Sequence, residues 1–161
     1  MLIRPFVSGD EDAVWSILEP AIRAGETYAL PRDMGRGAAL AYWTGADRET
    51  FVAAGPDGSI FGTYYLRANQ LGGGAHIANC GYVTAGHATG RGIARAMCID
   101  SLERARTRGF EAMQFNFVVE SNERAVRLWR SLGFAVVGRL PDAFRRPDGT
   151  LSDALVMLRR I

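Results

Sequence analysis

Residues Thr89–Met97 read TGRGIARAM, with two glycines one residue apart at the point where a helical pattern starts. A helix start leaves its first backbone N–H groups without intrahelical acceptors, and they carry the positive end of the helix dipole. A side chain at Gly90 or Gly92 would hold a ligand away from those groups or exclude a positive φ, and glycine does neither. The stretch is therefore a tight turn or a seat for an anion such as phosphate. A short Gly-x-Gly run does not decide between the two, so the neighbouring residues must.

Ahead of the loop, AHIANCGYVTA (75–85) has the β-rich character of a strand, interrupted at Gly81, where a bulge or the close approach of another group is expected. Behind it, Gly90 to Arg108 reads as a long helix with Ile93, Met97, Cys98 and Leu102 along one side and Gly109 just past its end. EAMQFNFVV (111–119) is a further strand. SNERAVRLWRSLGF (121–134) is a helix capped by Ser121 or Asn122 and closed by Gly133.

Further out, LIRPF (2–6) suits a first strand, and SGDEDAVWSILEPAIRAG (8–25) a helix capped by Ser8 and broken or kinked at Pro20. A short helix is expected around Ala38 to Trp43. ETFVAAGPDGSIFGTYYLR (49–67) is a hairpin that turns at Pro56-Asp57-Gly58. AVVGRL (135–140) and LSDALVMLRR (151–160) close the chain as two strands around PDAFRRPDG. The order β, α, α, β, β, β, α, β, α, β, β, with no repeat or linker, predicts one domain over residues 1–161. Its class is α/β, with layers of helices against a mixed sheet. A doubly wound dinucleotide fold fits poorly, because its glycine-rich turn follows the first strand.

Composition narrows the function. The 161 residues are 48% hydrophobic and 22% charged, with 19 basic and 17 acidic side chains spread along the chain, which gives no nucleic-acid footprint. No apolar run is long enough to cross a membrane, and the acids and proline near the N-terminus do not suit a signal peptide, so the expected location is the cytoplasm. Cys80 and Cys98 lack metal-ligand spacing and read as reduced, buried thiols; no metal is expected.

The run from Gly81 to Phe134 resembles the GNAT acetyltransferase superfamily. Members carry Arg/Gln-x-x-Gly-x-Gly/Ala at a helix start and a later Asn-x-x-Ala-x-x-Leu-Tyr-x-x-x-Gly-Phe. Here these stand as Thr89-Gly90-Arg91-Gly92-Ile93-Ala94 and as Asn122 through Ala125, Leu128 and Trp129 to Gly133-Phe134. The resemblance implies a mainly antiparallel sheet of about seven strands, helices on both faces and a splayed central strand pair. It also implies acetyl-CoA as acyl donor and, as is common in these enzymes, a homodimer.

In such a fold, successive N–H groups from Thr89 to Ala94 wrap the pyrophosphate, with Arg91 and Arg95 adding charge-assisted contacts and Asn122 close by. Gly81, Tyr82 and Val83 match the strand along which pantetheine lies, with a backbone N–H at Val83 polarising the thioester carbonyl. Thr89 replaces the usual Arg or Gln. Trp129 replaces the tyrosine that commonly protonates the departing thiolate, and an indole N–H does not ionise usefully.

ANCGY followed by MQFNFVVESNERAVRLW is similar, more narrowly, to N-acetyltransferases acting on azetidine-2-carboxylate and related cyclic imino acids. Asn79, Asn116 and, at the helix start, Asn122 fall on the asparagines that form the acceptor site there, orienting the amine rather than acting as bases. Both asparagines could instead bond each other or backbone groups across the strands. Glu120 is the nearest carboxylate by sequence, with ordered water an equal candidate for the base, and Tyr28 and Phe144 are candidate pocket walls. The resemblance thus implies direct acetyl transfer to a small amino or imino acid. The alternatives are acetylation of a protein N-terminus or lysine, and a coenzyme A-binding module without turnover.

Overall fold

A computed structural model describes residues 1–161. Strands β1 (Leu2–Pro5), β2 (Glu49–Ala54), β3 (Ile60–Ala68), β4 (Ile77–Thr84), β5 (Ala112–Val119), β6 (Ala135–Arg145) and β7 (Leu151–Arg160) form one seven-stranded sheet of order β1-β2-β3-β4-β5-β7-β6. All neighbours are antiparallel except β4 and β5. That parallel pair touches only at Ile77 opposite Ala112 and Ala78 opposite Met113, after which the strands part. The sheet is split at its centre, as the resemblance implied.

Helices α1 (Glu11–Ala24) and α2 (Arg36–Trp43) cover one face, and α3 (Ile93–Thr107) and α4 (Glu123–Ser131) the other. Side-chain parity along β3 decides which residues meet which pair. Thr63 accepts a hydrogen bond from the Trp43 indole at 3.0 Å, and Tyr65 meets the same ring edge-on at 5.0 Å. Tyr64, pointing the opposite way, hydrogen-bonds Asp100 on α3. Trp43, Phe51, Tyr64 and Leu66 are fully buried, each worth about 1.5–3 kcal/mol of apolar transfer. No helix is long and apolar enough to cross a membrane.

The structure departs from expectation in local details. The first helix continues through Pro20, because Val14, Ile17, Leu18 and Ile22 bury one face along its whole length and outweigh the missing amide. Ser8 does not cap it; a short 3-10 turn over Ser8–Asp10 intervenes. Of the two readings of Gly81 the close approach holds and the bulge does not: the residue sits in a regular β3–β4 ladder under the Tyr65 ring, and the break in register lies in β5, between Phe115 and Val118. The long helix starts at Ile93, not Gly90, because Gly90 and Gly92 adopt φ of 85° and 79° and hold the chain in a left-handed turn. Of the two caps expected for α4, Asn122 is the one used, its Oδ1 accepting from the Ala125 N–H at 3.3 Å.

Candidate active site

A cavity of about 660 Å³ runs from the start of α3 through the gap between β4 and β5 to the face covered by α1 and α2. At the α3 end, the N–H groups of Gly90, Gly92, Ile93, Ala94 and Arg95 have no acceptor in the protein, and the first helical bond runs from Ala96 to the Gly92 carbonyl at 3.0 Å. The amides of Thr89 and Arg91 are used within the turn, on the Gly86 and Ala88 carbonyls at 3.3 and 3.4 Å. The cradle is therefore narrower than an unbroken row from Thr89 to Ala94. Arg95 lines it and donates to Ser131 Oγ at 2.8 Å.

Arg91 was expected to join that cradle, but it does not line the cavity. Its guanidinium stacks on Phe61 at 4.8 Å. Arg124 supplies a cation that motif reading missed, with Nη2 3.8 Å from where a Cβ on Gly90 would be. Its place in the first turn of α4, two residues after Asn122, was the available signal.

The gap between the strands exposes one edge of β4. At the ends of the β3–β4 ladder, Asn69 donates to the Ile77 carbonyl at 2.7 Å and Ala85 to the Phe61 carbonyl at 2.8 Å. Antiparallel alternation between these bonds turns the polar groups of Asn79, Gly81 and Val83 toward β3. Those of Cys80, Tyr82 and Thr84 consequently face the gap. The Val83 amide is thus engaged with β3 and does not face the gap, as the contact expected from it would require. Tyr28 lines the cavity, and its hydroxyl donates to the Tyr82 carbonyl at 2.9 Å.

On the α1–α2 face, the side chains of Asn79 and Asn116 both reach the cavity. They do not bond each other. Asn79 Nδ2 donates to the Gln114 carbonyl at 2.9 Å, bridging the strands just past their last pairing. Asn116 accepts from Gln114 Nε2 at 2.9 Å and donates to Asn69 Oδ1 at 2.6 Å. Phe144, expected as a wall, packs on Phe117 with ring centroids 6.3 Å apart and stays outside; Phe117 forms the wall instead. Glu120 is ion-paired with Arg139 away from the cavity.

Trp129 lines the gap from the α3–α4 side, 5.2 Å from the Tyr82 ring and 5.1 Å from Phe115. No Asp, Glu or His lines the cavity; its charged groups are Arg67, Arg95 and Arg124. Burial pushes the phenols of Tyr28 and Tyr82 well above their ordinary range. It also pushes the Cys98 thiol up to about 11 and the Cys80 thiol further, so neither thiol is a ready nucleophile.

A seven-stranded mixed sheet split beside a glycine-held helix start defines an acyltransferase architecture, and sequence comparison agrees. Residues 13–134 match the acetyltransferase (GNAT) family, and the chain belongs to that family. It is similar to a GCN5-related N-acetyltransferase from Kribbella flavida, with 37% identity, a TM-score of 0.94, and coverage of 99% of this chain and 97% of that one. It is also similar to the N-acetyltransferase aca1 of Schizosaccharomyces pombe, 33% identical over 87 residues. That match takes in 54% of this chain and 42% of the relative, so less than half of the curated relative is matched. A phosphinothricin acetyltransferase from Sinorhizobium meliloti, in complex with AcCoA, shares the fold at 20% identity and a TM-score of 0.87, covering 99% of this chain and 88% of that one.

Proposed function

We propose that this protein transfers the acetyl group of acetyl-CoA directly to the amine of a small amino or imino acid. The observation that carries the reading is one continuous cavity, joining unpartnered amides at a helix start to a pair of asparagines through an opened sheet. The residues present fit the donor. The free amides of Gly90 and Gly92–Arg95, with Arg95 and Arg124, suit a diphosphate. The exposed edge of β4 suits a pantetheine arm, which pairs as an added strand.

Bound there, the coenzyme supplies an activated thioester. The amides of Cys80 and Tyr82 polarise a carbonyl in the gap, and donors fixed in advance contribute several kcal/mol to such a step, roughly 3–4 for a single one. Asn79 and Asn116 orient the acceptor. No carboxylate or imidazole in the cavity takes its proton, so the amine loses that proton to water before attack; its C–N bond then forms as the thioester C–S bond breaks, and water protonates the released thiolate. The raised thiol pKa values favour direct transfer over an acyl-cysteine intermediate. The reading extends to a cytoplasmic enzyme working as a homodimer.

Purified protein given acetyl-CoA and panels of amino acids, cyclic imino acids and peptides, with free thiol followed over time, tests the proposal. Release above hydrolysis with a small amino or imino acid is expected. Release only with peptides supports protein acetylation instead. Trp129, at the position where resembling enzymes carry the proton-donating tyrosine, favours one further reading, a coenzyme-binding module. Tight coenzyme binding with no release for any acceptor would select it.

A further inference from the structure

Two fully buried side-chain polar atoms lack any hydrogen-bond partner: Nη1 of Arg48 and Nε of Arg67. Their guanidinium groups share a single counter-ion. Asp47 accepts from Nε and Nη2 of Arg48 at 2.7 and 3.0 Å and from Nη1 of Arg67 at 3.0 Å. The Arg48 guanidinium beside it holds the Asp47 carboxyl down to about 2, so one negative charge faces two positive ones at any ordinary pH. Arg48 cannot carry its charge off to water. Its guanidinium lies 5.1 Å from the Tyr42 ring and 4.8 Å from the Tyr65 ring, and its side chain is 8% exposed.

Arg67 is the member of this cluster that reaches the cavity. It stands on β3 directly opposite Asn79 on β4, so the two side chains leave the sheet on the same face, toward the acceptor. The remaining cavity cations, Arg95 and Arg124, lie at the α3 end. With no carboxylate lining the cavity, the acceptor end carries positive charge that the protein does not balance. A simple amine or a lysine side chain arrives as a cation and meets repulsion there. An amino or imino acid brings a carboxylate, which pairs with the Arg67 guanidinium where it reaches the cavity and fixes the nitrogen a constant distance away.

The geometry points to Arg67, held in place by Asp47 and Arg48, as the residue that selects the acceptor by binding its carboxylate. This assignment rests on the acetyl-transfer reading and names the feature of the substrate that the site recognises.

The test compares kcat/KM for an amino or imino acid with that for its carboxamide, in the wild type, Arg67→Gln and Arg67→Lys. Coenzyme affinity and thermal midpoint are followed in each. The wild type should prefer the acid. Arg67→Gln should lower kcat/KM for the acid by about 10- to 100-fold, mainly through KM, with the carboxamide and coenzyme affinity unchanged. Arg67→Lys keeps the charge but loses the planar fork, so it should recover part of the loss, and it carries the test where the glutamine variant is unstable. An unchanged preference for acid over carboxamide in both variants, or equal loss for the two compounds, overturns the assignment. Wild-type transfer to both with equal ease overturns it alone; transfer to neither overturns the proposed function and the assignment together.

Discussion

The ring of Tyr65 lies across Gly81, so closely that a Cβ on Gly81 would sit 2.7 Å from Cε1 and 2.9 Å from the phenolic oxygen. The glycine is there for the neighbouring strand's aromatic ring, not for a bulge. That ring is backed by Trp43 at 5.0 Å and by the Arg48 guanidinium at 4.8 Å. It cannot yield without moving the acceptor wall. Gly81→Ala should therefore cost about 1–3 kcal/mol of stability, as overpacking does, and raise the acceptor KM more than it weakens coenzyme binding. Chemical denaturation and steady-state kinetics on the same preparation check both parts.

Gly92 separates strain from charge. At φ 79° any side chain is strained, although nothing lies within 4 Å of an added Cβ. Gly92→Ala should weaken coenzyme A binding modestly. Gly92→Asp, which adds an anion where a diphosphate is to sit, should weaken it by at least about tenfold more. Calorimetric titration of both variants decides, and equal affinities would refute the diphosphate seat.

Asn116 ties Gln114 to Asn69 at the acceptor end and touches nothing at the α3 end. Asn116→Ala should reduce kcat/KM for the acceptor severely, lower stability by about 1 kcal/mol, and leave coenzyme affinity intact. Kinetics at saturating acetyl-CoA, set beside calorimetry, test this; parallel loss of both functions would make Asn116 purely structural.

The pH profile follows from the absence of Asp, Glu and His in the cavity wall. If no protein group takes the proton, kcat/KM should rise about tenfold per pH unit up to the acceptor's own amine pKa and then level. Acceptors of different basicity should therefore give different midpoints. One midpoint near neutrality, shared by all acceptors, would reveal a protein base.

Acid should loosen the N-terminal segment. The Asp10 carboxylate is buried, accepts from Arg4 at 2.7 and 2.8 Å and from the Val7 N–H at 2.9 Å, and is held below the usual carboxylate range chiefly by the Arg4 hydrogen bond. A depressed folded-state pKa adds stability that is complete above about pH 4 and disappears as pH falls through the folded value. Asp10→Asn should destabilise at pH 7 by about 1–3 kcal/mol, and the gap from wild type should narrow below pH 4. Urea unfolding at both pH values measures it.

Element order and the glycine loop were legible because they depend on local chemistry: hairpin turns, helix-ending glycines and alternating strands. Details set by tertiary packing were not. Pro20 is carried inside a helix by a buried face that its own neighbourhood does not reveal. Val83 and Cys80 differ by strand parity, and parity needs the β3–β4 register, which no motif supplies. Arg91 and Arg95 look equivalent in sequence until the turn at Gly92 sends one onto Phe61 and leaves the other in the cavity. Arg67 was invisible because its significance lies in a counter-ion shared with Arg48 and a place in the cavity wall, and those can be read only when every neighbour is in place.

Amide hydrogen exchange with and without coenzyme A tests the central claim most directly. Occupation of the cradle and the strand gap should slow exchange at Gly90, Gly92, Ile93, Ala94 and Arg95 and at Cys80, Tyr82 and Thr84. Val83, already paired to β3, should change little. Binding that leaves both sets of amides exchanging at their free rates would contradict the account.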